Sequence, residues 1–431
     1  MLDLLIRNAT LPDGREGIDI AVQDGRITEV GPGVEAPARE TLTLDGWLVT
    51  PPFVDPHFHL DSTLSAGRPR INRSGTLLEG IQIWGDLAPT LTPEDVKSRA
   101  RELCHWSIAR GCLAIRSHVD VTDDSLMAVD ALLELREELS PWIDLQLVAF
   151  PQNGYFRYRN ASENVVRALD RGVDVVGGIP HFERTTDDGT ASVKALCELA
   201  AERGLLVDMH CDETDDPNSR HVETLARETE HLGLEGRVVG SHLTSMHSMD
   251  NYYVSKLLPL MQEAGLTAIA NPLINIAIQG RHDTYPKRRG MTRVKEMVAA
   301  GIPVALGHDC VMDPWYGLGS HDMLEVAHMA AHVGHMTGVE EMETLFAGVT
   351  TTAAAALHLE GYGLEPGCHA DLVVLQARTP VEAIRLRATR LYVLRRGSII
   401  ARTAPEEVSL ALGDTQRKVD FLTPGAAKAQ A

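Results

Sequence analysis

From residue 49 onward, short apolar runs rich in β-branched residues recur about every 30 residues, each followed by a stretch with helical periodicity. Eight runs stand at 48–59, 113–121, 145–152, 173–181, 205–210, 237–242, 266–272 and 302–309. The stretch TPEDVKSRARELCHWSIARG typifies what lies between them: a Thr cap, Pro at the first helical position, apolar residues at helical spacing and a closing Gly. Continuous apolar strands are what a parallel sheet covered on both faces requires. Eight of them alternating with helices predict a (β/α)8 barrel, assigned to residues 50–359.

The flanks follow another rule. DIAVQDGRITEVGPG (19–33) alternates polar and apolar positions around Asp24-Gly25, a hairpin turn signal, and HADLVVLQA (369–377) with LYVLRRGSIIA (391–401) is similarly stranded. Residues 1–49 and 360–431 are therefore expected to meet as one small β-sandwich domain built from both chain ends. The last dozen residues are expected to lack order.

The predicted barrel strands end in polar residues: His57 and His59, His118, Gln152, His181, His210, His242, Asn271 and Asp309. In this fold the carboxyl ends of the strands carry the chemistry. His57 and His59 flank one residue on a strand, so both imidazoles leave on the same face. Three imidazoles and a carboxylate suit zinc, iron or a similar divalent ion with one position left for water, whose pKa such an ion brings toward about 7. A second ion needs a bridging ligand, such as a Lys from the fourth strand, and VDVVGGIPHFE has none. One ion per subunit is expected.

Composition narrows the partners. Among 431 residues, 44% are apolar and 23% charged, ordinary for a globular protein. With 40 Lys plus Arg against 60 Asp plus Glu, the net charge of −20 repels a polyanion, so nucleic acid is not an expected partner. The compact basic run Lys287, Arg288, Arg289 reads as a loop or helix-start group. Six cysteines without a C-x-x-C pair read as free thiols. No signal-like N-terminus and no apolar run of about 18 residues occurs, so a cytoplasmic protein with no membrane association is expected.

PPFVDPHFHLD, LVAFPQ, DMHCDE, GSHLTSMHS, NPLINIAIQGRHDTYPKRRGMTRVKEM and GHDCVMDPWY together resemble the bacterial cytosine deaminases of the amidohydrolase superfamily, over nearly the whole chain. The resemblance implies metal ligation by His57, His59, His210 and Asp309. It implies that Glu213 carries a proton to the pyrimidine ring, with His242 as base or electrostatic partner, so that Glu213, His242 and Asp309 form the catalytic group. It implies a Gln152 that reads the amide edge of the base alongside a backbone carbonyl near Leu77, and a homo-oligomer. A side-chain amide suits that edge by offering both donor and acceptor, although buried amides also serve loops. Trp315 walls the pocket or simply packs.

One position departs from the family. Where cytosine deaminases usually read His-Asp-Asp, this chain reads His308, Asp309, Cys310. A carboxylate pressed against a methyl group loses hydration without gaining a partner, whereas Cys packs as a small hydrophobe. The resemblance places this residue in the substrate site near ring position 5 and associates an uncharged residue there with 5-methylcytosine, so the expected reaction is deamination of free 5-methylcytosine to thymine and ammonia, with Cys310 in the substrate site. The rivals are a cytosine or isoguanine deaminase in which Cys310 is neutral drift, a cyclic-amide hydrolase, and an inactive scaffold.

Overall fold

The computed structural model describes residues 1–422, so the tail from residue 423 on lies outside it. Its centre is a ring of eight parallel strands: β1 (Phe53–Phe58), β2 (Cys112–Asp120), β3 (Asp144–Phe150), β4 (Val175–Gly178), β5 (Leu206–Cys211), β6 (Val238–His242), β7 (Thr267–Ala270) and β8 (Val304–Leu306). Each pairs with its sequence neighbour. A bridge between Phe58 and Asp309, in which Asp309 N donates to the His57 carbonyl at 2.9 Å, closes β8 onto β1. The (β/α)8 barrel read from periodicity is the fold.

Helices cover the ring where the pattern places them. Pro93–Ala109 starts under Thr92, whose hydroxyl accepts from Asp95 N, and Gly111 takes the positive φ (74°) that turns the chain back toward β2.

The first apolar run divides. Leu48–Thr50 is not barrel strand but pairs antiparallel with Leu372–Leu375. Pro51 and Pro52 have no N–H to continue a ladder, and β1 starts only after them.

Leu48–Thr50 thereby edges a second sheet, ordered Ser398–Arg402, Arg390–Arg395, Leu372–Leu375, Leu48–Thr50. The first small sheet is ordered Arg26–Gly31, Ile18–Gln23, Leu2–Ala9, Ala38–Thr43, its last pair parallel. Asp24 and Gly25, both at positive φ (51° and 72°), make the tight turn that their sequence announces. Period-2 alternation lets the second sheet serve two cores: Val49, Leu372 and Val374 pack with Leu4, Ile20 and Val22 of the first sheet, whereas Leu48, Val373 and Leu375 join the barrel core.

Lys287–Arg289 falls in a loop, where Arg288 pairs with Asp283 at 2.6 Å. The six cysteines are free, and no helix among the described residues is long and apolar enough to cross a membrane.

Candidate active site

At the carboxyl end of the ring, β1 presents His57 and, one residue past its end, His59; β5 presents His210; the turn after β8 presents Asp309. His59 Nε2 lies 3.1 Å from His210 Nε2 and 3.3 Å from Asp309 Oδ1, and His57 Nε2 lies 3.6 Å from that same oxygen. Ligands about 2.1 Å from one ion sit about 3 to 3.5 Å apart. The four groups therefore fit a single divalent ion. His57 Nε2 is buried without a hydrogen-bond partner, as a nitrogen reserved for a metal ion is. Burial, then neighbouring imidazoles, holds His57 and His210 well below the usual histidine pKa, so both offer neutral nitrogens.

The far side of the His57 ring is held by hydrogen bonds, that of His210 by stacking alone. His57 Nδ1 meets Ser241 Oγ and His118 Nε2, each at 3.0 Å. Ser241 Oγ donates to Asp208 at 2.6 Å, and Asp208 accepts from Arg116 Nη1 at 2.9 Å. Phe150 stacks on His210 with ring centroids 4.0 Å apart. Such outer partners fix ring orientation around an ion. Sequence reasoning named His118 only as a strand exit and passed over Ser241, Asp208 and Arg116. The available signal was a charge inside each of two apolar runs, LAIRSHVDV and LLVDMH, since a charge in a buried strand must find a partner.

The acid–base groups stand on the other side of Asp309. Glu213 Oε1 lies 3.4 Å from His242 Nδ1, and His242 Nε2 lies 3.9 Å from Asp309 Oδ2. Burial, with the charge of Asp309 added, pushes the Glu213 carboxyl well above the usual range. Burial holds His242 down to about 4 despite Asp309, so its ring is neutral. The side-chain amides of Asn275 and Asn271 meet His242 Nδ1 at 3.0 and 3.2 Å, and that of Asn271 also lies 3.5 Å from Nε2, so the two amides fix the orientation of the ring. His242 (φ 71°) and Asp309 (φ 69°) both adopt left-handed backbone, uncommon outside glycine and frequent where a site dictates aim.

Above these groups opens a cavity of about 540 Å³ including its mouth. All four proposed substrate contacts, Leu77, Gln152, Cys310 and Trp315, line it with His59, His210, Glu213 and Asp309. His57 and His242 lie beneath it. Sequence reasoning left out the apolar wall of Ile81, Ile179, Phe182, Ile274 and Ile278, and His181, which it had named only as a strand exit. Those residues sit on loops and short helices whose inward face depends on the closed barrel.

A sequence model of the Amidohydrolase family matches residues 40–401. The chain belongs to the amidohydrolase family. This amidohydrolase is 43% identical to 5-methylcytosine deaminase from Klebsiella pneumoniae, whose structure liganded with 5-fluorocytosine superposes with a TM-score of 0.91 over 94% of this chain and 98% of that one. N-isopropylammelide isopropyl amidohydrolase of Pseudomonas sp. is 29% identical over 93% of this chain and 97% of its own. Pterin deaminase of Rhizobium rhizogenes is also 29% identical, over 93% of this chain and 94% of its own. The amidohydrolase is a cytosine-deaminase-like hydrolase of C–N bonds, and its family depends on a divalent metal.

The amidohydrolase's pocket wall depends on a missing side chain. A Cβ at Gly80, in the helix Leu77–Leu87, would come within 2.5 Å of Trp315 Cδ1. Gly80→Ala gains about 1 kcal/mol of helix propensity and loses about 1–3 kcal/mol to overpacking, so the terms partly cancel in stability. The displaced indole is expected to show instead as a rise in KM with little change in Tm. An unchanged KM would remove Trp315 from the binding wall.

Proposed function

We propose that this amidohydrolase deaminates free 5-methylcytosine to thymine and ammonia. The observation that carries this reading is Cys310. It is 5% exposed, lines the cavity beside Asp309, and burial, with Asp309 and Asp313 adding, keeps its thiol protonated. The wall there is small, neutral and soft, which suits a ring methyl and would leave a carboxylate unsolvated. The name of the 43% identical Klebsiella enzyme supports the same substrate.

In this mechanism His57, His59, His210 and Asp309 would hold one zinc or iron ion. When bound, the ion supplies a water acidic enough to attack at neutral pH. Asp309 remains a carboxylate: burial opposes its charge, but the His59 hydrogen bond and neighbouring imidazoles outweigh that. Gln152 is half-buried, and its side-chain amide bonds no described protein group. It is free to meet the adjacent N–H and C=O of the base, with the carbonyl of Leu77 as its companion and Trp315 across the ring. Glu213, its pKa raised, delivers a proton to the ring nitrogen next to the attacked carbon. His242 steadies the oxygen that adds. Glu213, now a carboxylate, takes the two hydrogens that the attacking water sheds, passing one to the amino group and keeping the other; the C–N bond breaks, ammonia leaves, and the added oxygen stays as the new carbonyl. A chain of net charge −20 favours the free base over methylated DNA.

The test is ammonia release by zinc- or iron-loaded protein, comparing kcat/KM for 5-methylcytosine, cytosine and isoguanine in one buffer. A methyl group is worth roughly 10- to 200-fold, so a lead of about tenfold or more for 5-methylcytosine is expected. Cys310→Asp should shift the ratio toward cytosine. A lead for cytosine in the unaltered enzyme would keep the chemistry and cancel the substrate.

A further inference from the structure

Gln152 sits on a tight turn after β3, closed by Gly154 N donating to the Pro151 carbonyl at 2.9 Å. What holds that turn in place comes from the segment that follows β4. The Glu183 carboxylate, itself 9% exposed, accepts three consecutive backbone amides: Tyr155 N at 2.6 Å and Phe156 N at 3.1 Å on Oε1, and Arg157 N at 2.8 Å on Oε2. Arg157 answers by donating from Nη1 to the Phe182 carbonyl at 2.9 Å, with its guanidinium 4.2 Å above the Phe182 ring. A Cβ at Gly154 (φ 95°) would lie 3.1 Å from Glu183 Oε2 and 2.8 Å from Arg157 Cβ, so the turn closes onto the carboxylate only because that residue is glycine.

The same short segment reaches the proton-carrying group. His181, two residues before Glu183, accepts from Glu213 N at 3.4 Å on Nδ1, and both His181 and Phe182 line the cavity. One turn after β4 thus touches the loop that offers Gln152 and the backbone that offers Glu213. Three amides on one buried carboxylate are far more binding than a surface loop needs: charge-assisted bonds are about twice as strong as neutral ones.

We propose that Glu183 is a positioning residue that clamps the 155–157 backbone and thereby sets where Gln152 meets the base. The proposal rests on the reading that Gln152 contacts the substrate, and it assigns Glu183 an effect on binding with little on the chemical step.

The experiment measures KM and kcat of the metal-loaded, full-length enzyme, using whichever of 5-methylcytosine, cytosine and isoguanine it turns over fastest, for E183Q, E183A, Q152A and the E183A/Q152A double variant. E183A is expected to raise KM about tenfold with kcat within about threefold, since only part of what the three lost charged hydrogen bonds contribute to the loop is passed on to Gln152. E183Q keeps an acceptor for two of the three amides and should fall between. On the Q152A background E183A should add nothing. A full additional rise in KM on that background, or a loss confined to kcat, would overturn the clamp while leaving Gln152 as a substrate contact. A Q152A variant with unchanged KM would overturn the Gln152 reading and the clamp together. If E183A yields no folded protein, E183Q alone decides: an unchanged KM there sinks the proposal.

Discussion

Replacing Glu213 by Gln should lower kcat by about 10²- to 10⁴-fold while leaving KM within a few-fold, the range for losing a positioned proton-transfer group. The side chain keeps its shape and still reaches His242, 3.4 Å away in the parent, so the pocket is not remodelled. What disappears is the proton. Burial and Asp309 raise the Glu213 carboxyl so that it carries a proton where an ordinary glutamate would not, and an amide cannot hand its hydrogen to a ring nitrogen. Steady-state kinetics and metal content on the same preparation check this. A drop in kcat with bound metal unchanged supports the role; lost metal would make Glu213 part of the ion site, and an unchanged kcat would move proton delivery to another group.

What could be read from the chain and what could not divides along sequence distance. His57 and His59 were legible because they lie two apart at the end of an apolar run, and strand periodicity alone aims both rings at one point. Glu213 and Cys310 were marked by the family resemblance, not by any local pattern, and the structure places both at the cavity. The supporting residues were not. Gly80 matters only because Trp315 lies against it, Glu183 only because the 155–157 amides turn toward it, and nothing local announces either. The left-handed backbone at His242 and Asp309 had no glycine to mark it. The mistaken strand start at 48 shows the limit of hydrophobicity itself: Leu48 and Val49 are as apolar as barrel residues because their sheet is buried on both faces, and only the prolines at 51 and 52 separate them from β1.

Removing the charge of Asp208 should be the most destabilising single change beneath the site. Arg116 and Asp208 are fully buried and 2.9 Å apart inside the barrel. Burial dominates at both, raising the Asp208 carboxyl and lowering Arg116 against their mutual attraction, so the pair adds little net stability as it stands. Losing one member is different in kind. Asp208→Asn leaves a guanidinium in the core without its directly paired counter-charge, which costs about 3–5 kcal/mol and is a large share of a domain's total stability of about 5–15 kcal/mol. It also weakens the acceptor for Ser241, which steadies His57 Nδ1, so affinity for the ion should fall in whatever folds. Urea unfolding reads the first effect and metal titration the second. Pairing Asp208→Leu with Arg116→Met should recover much of the stability, because no charge is then stranded, but not the affinity for the ion, because the hydrogen-bonded support under His57 is still gone. Recovery of both would mean that the network serves packing alone; recovery of neither would mean that the barrel interior needs the charges themselves.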